Sequence, residues 1–560
     1  MKIFLAQQNY HIGNFESNTG KIIAAIEEAK KLGGDLIVFP ELSVCGYPPR
    51  DFLEFNDFIE QGLKAIAQIK QASDTIGVLV GAPSRNSKAE GKNLFNSAYF
   101  LYEKEIKSLV HKSLLPTYDI FDEYRYFEPA YDWNIISFKG KKIAVTICED
   151  IWNLGDDPLY RTCPMDILIQ QGPDLMINLS ASPFDYVHAD GRKGIVKQNV
   201  AKYKIPMVYC NTTGSQTEIV FDGGSLVMDA NCDIVAELPY FSEAMQCVTL
   251  KDDNTFEEAV IRKADDVPLV QLMPEHLEPR SGISQIHKAL ITGIRDYFNK
   301  MGFAKAVVAS SGGIDSAVVL ALACEALGAS NVQALLLPSH FSSEHSVTDA
   351  EELSRNLGNP YNTIPIEKIF HSFTEELYPL FKDLPFSVAE ENLQSRIRGA
   401  LVMAVSNKFG SILLNTSNKS ELATGYGTLY GDMAGGLSVI GDLYKTQVYA
   451  LAEHINREKE IIPRAIIAKA PSAELRPGQK DIDSLPDYGI LDPILYQYIE
   501  RRQGPQEIIA MGNEKALVNR ILKMVNTNEY KRNQFCPIIR ISPKAFGVGR
   551  RVPIVGKYLS

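Results

Sequence analysis

The stretch AVVASSGGIDS, residues 306–316, decides the fold of the second half of the chain. Its apolar start is typical of a buried strand, its Ser-Ser-Gly-Gly centre indicates a tight loop, and a helix is predicted over residues 316–327. A second apolar, strand-like run follows at residues 332–337. Strand, helix and strand in this order make a βαβ unit. We therefore expect a doubly wound parallel sheet that binds ligands at the carboxyl ends of its strands.

The loop inside this stretch has the composition of a phosphate-binding loop, although a glycine pair after a strand also serves as a plain turn. Glycines let the backbone approach a phosphate, and the amino terminus of the next helix attracts anions. The spacing is not that of a Walker loop, which requires Gly-Lys-Ser or Gly-Lys-Thr. Asp315 lies beside the expected phosphates, and a bound Mg²⁺ explains its charge. The predicted ATP site consists of Ser310, Ser311, Gly312, Gly313, Ile314, Asp315 and Ser316.

Three residues of the first half, Glu41, Lys112 and Cys148, each follow an apolar, strand-like run. A thiol that attacks a carboxamide needs a base for its proton and a donor for the oxyanion. Each residue alone has a plainer interpretation, as a buried structural cysteine, an acidic residue after a strand or a surface lysine. Together they predict amide cleavage through a thioester. We also expect Lys112 to lower the pKa of the thiol and partial desolvation to make Glu41 a stronger base.

Length and composition indicate a two-domain cytoplasmic enzyme. The 560 residues exceed what one hydrophobic core supports, and polar, turn-rich sequence predicts domains at 1–255 and 281–560 with a linker at 256–280. No apolar run approaches the roughly 20 residues that span a bilayer. A net charge of -11 argues against nonspecific nucleic-acid binding. The eight cysteines include no Cys-x-x-Cys pair, which disfavours a disulfide framework and a zinc site.

Strand-like runs alternate with helical segments in the first half, which predicts an α/β layered domain. The expected helices are residues 17–32 and 57–72, and residues 218–250 are typical of closely spaced edge strands. Strands are expected at residues 2–8, 35–40, 76–82, 94–103, 143–148, 174–179 and 206–211.

The segments VFPE (38–41), HKSLLP (111–116) and ICED (147–150) together resemble the three catalytic patches of the nitrilase, or carbon–nitrogen hydrolase, superfamily. The resemblance covers roughly residues 1–260 and implies a four-layer αββα domain. It also implies that Glu41 is the general base, Lys112 the oxyanion stabiliser and Cys148 the nucleophile. A second carboxylate is implied as well, and Glu123 lies where it is expected.

In the glutamine-using branch of that superfamily, the matching regions imply that Tyr118 and Ser182 contact glutamine. Where the branch has a Gly-Lys pair, this chain has Val187-His188. His188 is either a replacement substrate contact or a surface histidine.

The loop at 310–316 resembles the pyrophosphate loop of the adenine-nucleotide α-hydrolases, which cleave ATP to AMP and pyrophosphate. With the segments LLNTSNKSE (413–421) and GDLYKT (441–446), the chain resembles the glutamine-dependent NAD synthetase family over nearly its whole length. The resemblance implies Thr416 and Lys445 on ATP, and Glu421 on the metal with Asp315 or on the dinucleotide. It further implies deamido-NAD contacts at Asn392, Arg396 and Lys544.

Plainer interpretations of these last positions stay open. Asn392 and Arg396 have helical i, i+4 spacing and suit a solvated helix face, Lys544 lies near a basic tail, and Glu421 suits a loop cap.

The combined expectation is a ligase that releases ammonia from glutamine, adenylates deamido-NAD with ATP and Mg²⁺, and transfers the ammonia to give NAD. The family resemblance implies an ammonia tunnel, and we expect a homo-oligomer. Two alternatives keep part of the pattern: an amidotransferase for another carboxylate, and a nitrilase joined to a nucleotide-binding sensor without ligase chemistry.

Overall fold

The computed structural model describes residues 1–88, 90–154, 158–268 and 273–559, with backbone alone for residues 188–190 and 344. The chain forms two compact units, Met1–Leu272 and Met273–Ser560.

The first unit contains two six-stranded sheets. The helices are α1 (Phe15–Lys31), α2 (Asn56–Ala72), α3 (Pro164–Leu168) and α4 (His188–Tyr203). The strands are β1 (Lys2–Gln7), β2 (Leu36–Val38), β3 (Gly77–Arg85), β4 (Leu94–Tyr102), β5 (Glu105–His111), β6 (Ile136–Phe138), β7 (Lys141–Ile147), β8 (Leu175–Ser180), β9 (Met207–Asn211), β10 (Thr213–Gln216), β11 (Ile219–Asp222), β12 (Leu226–Met228), β13 (Ile234–Glu237) and β14 (Ala244–Thr249).

The two sheets have the same plan, with strand orders β14-β1-β2-β3-β4-β5 and β13-β12-β9-β8-β7-β6. In each, three central parallel strands are flanked by antiparallel ones. Side chains alternate along the strands, so that Ile177 of β8 joins the core between the sheets while Met176 packs with Val196 of α4. Helices therefore cover a sheet-on-sheet core, and the predicted αββα fold is confirmed.

The second unit contains a five-stranded sheet whose paired strands are all parallel. Its strands are β15 (Lys305–Ala309), β16 (Val332–Leu336), β17 (Tyr361–Thr363), β18 (Ser411–Asn415) and β19 (Leu437–Ser438). Its helices are α5 (Ile283–Met301), α6 (Ile314–Leu327), α7 (Glu344–Leu357), α8 (Glu367–Phe381), α9 (Val388–Phe409), α10 (Lys419–Thr424), α11 (Lys445–Ile455), α12 (Arg464–Ala468), α13 (Tyr488–Ile499), α14 (Pro505–Ala510), α15 (Lys515–Thr527) and α16 (Glu529–Arg532).

The strand order across the sheet is β17-β16-β15-β18-β19, so the side on which the chain adds new strands changes at β15. Later strands add first on the β16 side and then on the β18 side, so that the loops after β15 and β18 diverge and leave a crevice at the carboxyl edge. The loop 310–316 and the segment 416–421 follow these two strands. The doubly wound parallel sheet is confirmed, and its switch point lies at the predicted phosphate loop.

Candidate active sites

The first unit buries a lysine between two carboxylates. Lys112, which follows β5, donates from Nζ to Glu41 Oε1 at 2.8 Å and to Glu123 Oε1 and Oε2 at 2.8 and 2.9 Å. The Lys112 side chain is 0% exposed, and Glu41 and Glu123 are buried with it. Burial lowers the pKa of Lys112, but the two carboxylates outweigh it and raise the pKa well above its usual value. A permanent buried cation results.

Neutral groups fix the orientation of both carboxylates. Asn96 Nδ2 donates to Glu41 Oε1 at 2.7 Å and to Glu123 Oε2 at 3.3 Å. Tyr47 donates its hydroxyl proton to Glu123 Oε1 at 2.8 Å, and the Ala181 amide donates to Glu41 Oε2 at 3.1 Å. These partners leave Glu41 few other orientations. Sequence reasoning missed Asn96 and Tyr47, because neither lies in a strand-end motif.

Cys148 follows β7 and has a positive φ of 45°, a conformation that is uncommon outside glycine. Its thiol is buried, and its pKa responds to the charges of Glu41, Lys112 and Glu123. The expectation of a lowered thiol pKa is wrong. Burial, reinforced by Glu41, raises the pKa well above its usual value and outweighs the lowering effect of Lys112. The Cys148 thiol is therefore neutral at rest, and to act as the predicted nucleophile it would need a base.

A second acidic group lies beside Cys148. Glu149 accepts hydrogen bonds from the Tyr118 hydroxyl at 3.0 and 2.9 Å and from the Tyr160 hydroxyl at 3.2 Å. Burial raises its pKa to about 7, although Lys112 and the two hydroxyls lower it. Tyr118, predicted to contact glutamine, is 43% exposed, so this cluster reaches solvent. The one sequence signal for Glu149 is its place directly after Cys148.

Asp150 joins the segments that carry Lys112 and Cys148. Its Oδ1 accepts from the amides of Ser113 and Leu114 at 3.0 and 2.9 Å, and its Oδ2 accepts from the Ile147 amide at 3.0 Å. The residue after Lys112 and the residue before Cys148 are thus held by one buried side chain. Burial raises the pKa of Asp150 to about 6 against these hydrogen bonds.

Of the two other predicted glutamine contacts, one is described. Ser182 is buried, and its backbone exchanges hydrogen bonds with the Asn211 side chain at 2.9 and 3.2 Å. The predicted contact at His188 lies outside the described side chains.

In the second unit, the loop 310–316 is ordered by its own hydroxyls. Ser316 Oγ donates to the Gly313 carbonyl at 3.0 Å and lies 3.2 Å from Ser311 Oγ, while the Gly313 amide donates to Ser311 Oγ at 3.2 Å. Gly312 has a φ of 75°, and a Cβ there would overlap the Ser346 carbonyl oxygen of α7. Ser310 is buried with no hydrogen-bond partner for its Oγ among the described residues, and Ile314 begins α6.

The structure brings Asp315, Glu421 and Lys445 together. Lys445 Nζ bonds Asp315 Oδ2 and lies 3.8 Å from Glu421 Oε1, while Asn418 Nδ2 donates to Asp315 Oδ1 at 2.9 Å. Burial and the Asp315 charge raise the pKa of Glu421 well above its usual value. Two carboxylates that share a single lysine match the oxygen ligands that Mg²⁺ prefers, with water and phosphate oxygens completing its shell. The residues present therefore fit the predicted metal.

The predicted dinucleotide residues Asn392 and Arg396 face a neighbouring segment. Thr428 donates its hydroxyl proton to Asn392 Oδ1 at 2.7 Å, and Arg396 Nε donates to the Leu429 carbonyl at 3.2 Å. Lys531, which the sequence did not single out, donates to the carbonyls of Gly425 and Gly427 at 2.7 and 2.8 Å. The same 425–429 segment is thus held from two sides.

Thr416 follows β18 and is partly buried near the carboxyl edge of the sheet. Lys544 belongs to a carboxyl-terminal segment that is held by the fully buried Lys419, whose Nζ donates to the Lys544 carbonyl at 3.0 Å. The same Nζ forms ion pairs with Asp442 and Glu500 at 2.9 and 2.7 Å. The structure places the backbone of Lys544 beside α10.

Comparison with known families assigns each unit to a class. The carbon–nitrogen hydrolase family profile matches residues 2–255, and the NAD synthase family profile matches residues 286–535. With the two sites described above, these matches define a carbon–nitrogen ligase that joins an amide-cleaving unit to a nucleotide-using unit.

Full-length relatives then identify the family. The chain is 44% identical to a glutamine-dependent NAD(+) synthetase of Synechocystis sp., over 99% of this chain and 98% of that protein. It is 40% identical to one of Thermotoga maritima, over 100% of this chain and 99% of that protein. A solved structure of the Acinetobacter baumannii enzyme with adenosine diphosphate is similar with a TM-score of 0.76 and 38% identity, covering 99% of this chain and 98% of that one. The chain belongs to the glutamine-dependent NAD(+) synthetase family.

Proposed function

We propose that this chain hydrolyses glutamine to glutamate and ammonia in its first unit, and in its second uses ATP and that ammonia to convert deamido-NAD to NAD, AMP and pyrophosphate. The observation that carries the proposal is the presence, in one chain, of the buried Glu41–Lys112–Cys148 site and the Asp315–Glu421–Lys445 site. The names of the full-length relatives supply glutamine as the nitrogen source and NAD as the product.

In the first unit, Cys148 Sγ attacks the side-chain amide carbon of glutamine. Since the thiol is neutral at rest, its proton passes to Glu41, whose carboxylate is fixed by Lys112 and Asn96. The Lys112 ammonium stabilises the negative charge that develops on the carbonyl oxygen. The proton returns from Glu41 to the departing ammonia, and water then hydrolyses the thioester to glutamate.

We assign Tyr118, Ser182 and Glu149 to the binding of glutamine. A carboxylate with two tyrosine hydroxyls beside the nucleophile suits the α-ammonium group of the amino acid, because an incoming cation favours the ionised form of Glu149. His188 stays a proposed contact on sequence grounds.

In the second unit, the loop 310–316 and Lys445 would bind the phosphates of ATP, with Thr416 near the nucleotide. Asp315 and Glu421 would hold Mg²⁺, which supplies positive charge to neutralise the polyphosphate. The carboxylate of deamido-NAD attacks the α-phosphate and releases pyrophosphate, and ammonia then displaces AMP. Asn392, Arg396 and Lys544 are the proposed dinucleotide contacts.

Three broader expectations complete the proposal. We assign residues 1–255 to the glutaminase, 281–560 to the synthetase and 256–280 to the linker, and we propose a cytoplasmic homo-oligomer. Among the described residues, no helix is long and apolar enough to span a membrane.

The test compares the wild type with Cys148→Ala, each supplied with deamido-NAD, ATP, Mg²⁺ and either glutamine or ammonium. The variant should lose NAD formation from glutamine and retain it from ammonium, because the thiol acts only in ammonia release. No NAD from either nitrogen source in the wild type would refute the synthetase assignment.

A further inference from the structure

An acid–base cluster outside the assigned residues adjoins the phosphate loop. Lys469, directly after α12, bonds the Ser346 hydroxyl from its Nζ and donates to Glu474 Oε1 at 2.8 Å. Glu474 also accepts from the hydroxyls of Ser343 and Ser346 at 3.1 and 2.8 Å. The carboxylate thus takes three donors of the kind that bind a phosphoryl group.

The cluster lies against the loop itself. Gly312 lies so close to the Ser346 carbonyl that a Cβ at position 312 would overlap it, and only glycine fits there. The Lys469 side chain is 28% exposed and that of Glu474 is 19% exposed, so a solvent ligand can reach the pair. Ser346 therefore links the cluster to the loop, because its hydroxyl bonds Lys469 while its carbonyl lies against Gly312.

A second cation lies nearby without an ion pair to any described carboxylate. Arg398 of α9 donates from Nε to the Leu337 carbonyl at 2.9 Å, just beyond the end of β16 and thus at the carboxyl edge of the sheet. Burial lowers the pKa of Arg398 to about 10, while the nearby Glu474 and Asp432 charges act in the opposite direction. A partly buried guanidinium without a bidentate partner gains from an anion.

We propose that Lys469 and Arg398 are further phosphate-binding residues of the ATP site, and that the Glu474 carboxylate competes with the terminal phosphates for Lys469. The proposal rests on the proposed function only in taking residues 310–316 as the pyrophosphate loop. When ATP binds, Lys469 exchanges Glu474 for a phosphate oxygen. When pyrophosphate leaves, Glu474 takes its place again.

The experiment measures the Kd of the full-length protein for inorganic pyrophosphate with Mg²⁺ by calorimetry, with AMP as a ligand that lacks the terminal phosphates. Lys469→Met and Arg398→Met should each weaken pyrophosphate binding about tenfold or more, which is the loss expected for one charge-assisted hydrogen bond. AMP binding should not change. Glu474→Gln should act in the opposite direction and tighten pyrophosphate binding, because a competing negative charge is removed. Lys480→Met, an exposed lysine of the same segment, is the matched control.

Lys469→Met and Glu474→Gln are expected to change the affinity for pyrophosphate in opposite directions, which separates direct phosphate binding from mere support of the loop. If Glu474→Gln weakens pyrophosphate binding as Lys469→Met does, the ion pair of Lys469 and Glu474 only stabilises the local structure and the proposal is wrong. It is equally wrong if Lys469→Met binds pyrophosphate within twofold of the wild type. Lys469→Arg, which keeps the charge, should bind pyrophosphate more tightly than Lys469→Met, and thermal unfolding shows that each variant is folded. A wild type that binds pyrophosphate but makes no NAD from ammonium would refute the proposed function alone.

Discussion

The replacement Glu149→Gln isolates one charge beside Cys148, the proposed nucleophile. The amide keeps the size of the carboxylate, and the Tyr118 and Tyr160 hydroxyls, now 2.9 to 3.2 Å from Glu149, can still hydrogen bond to it. The variant therefore removes the negative charge and little else.

The structure gives the size and sign of the effect on stability. Folding raises the pKa of Glu149 from 4.5 to about 7. A raised pKa favours the protonated form, so its stabilising contribution is complete below pH 4.5 and is lost as the pH rises through 7. The step corresponds to ~3 kcal/mol at pH 8. Glu149→Gln should raise the free energy of unfolding by up to that amount at pH 8 and change it little at pH 4.5.

The effect on glutamine has the opposite sign. If Glu149 binds the α-ammonium group, its loss should raise the KM for glutamine ~10- to 100-fold with kcat changed only a few-fold, because a charged hydrogen bond contributes ~1.5–3 kcal/mol. In the wild type, kcat/KM for glutamine should rise between pH 6 and 8 as Glu149 ionises, and the variant should lose that rise.

Ammonia release from glutamine and from glutaramic acid, the glutamine analogue that lacks the α-amino group, provides the assay. The variant should discriminate between these substrates far less than the wild type. The reasoning is refuted if Glu149→Gln lowers kcat for both substrates equally, since the carboxylate would then act on the thiol and not on the amino group.

Two further predictions concern the buried lysine and the phosphate loop. Lys112→Met should abolish ammonia release and lower the free energy of unfolding in urea by ~3–5 kcal/mol, because Glu41 and Glu123 lose their buried counterion. Adding Glu123→Gln to this variant should restore part of the lost stability. An unchanged unfolding curve for Lys112→Met would contradict the ion-pair account. Gly312→Ala should destabilise the second unit by ~1–3 kcal/mol through its positive φ and the overlap with Ser346, whereas Gly313→Ala, at a negative φ of -95°, should cost less in the same thermal unfolding measurement.

The sequence predicted the parts of both sites that lie at strand ends. Glu41 follows β2 of one six-stranded sheet and Cys148 follows β7 of the other, so each comes after the carboxyl end of a buried strand that has a parallel neighbour. That position could be predicted from the sequence, whereas the approach of the two sheets to each other could not. The same rule located the loop 310–316. Strand β5, which leads to Lys112, was harder, because its side chains are largely exposed and alternate weakly.

What the sequence did not predict depends on burial and on long-range contacts. Cys148 illustrates the first: a lysine nearby suggests a lowered thiol pKa, but only the structure shows that desolvation and Glu41 outweigh it. Asn96 illustrates the second, since it binds Glu41 across 55 residues from the middle of a strand. No local motif carries either fact.

Both units place a lysine between two carboxylates, and the difference between the arrangements matches the different chemistry that we propose for them. Lys112 has 0% exposure and bonds both carboxylates at 2.8 Å, so nothing can replace it. Lys445 bonds Asp315 but lies 3.8 Å from Glu421, and both of these carboxylates are partly exposed, at 17% and 18%. The first cation is therefore a fixed part of the site that can stabilise an oxyanion in every turnover. The second leaves the oxygens of Asp315 and Glu421 available, so these two residues would be able to hold the Mg²⁺ that would neutralise the charge of the phosphates.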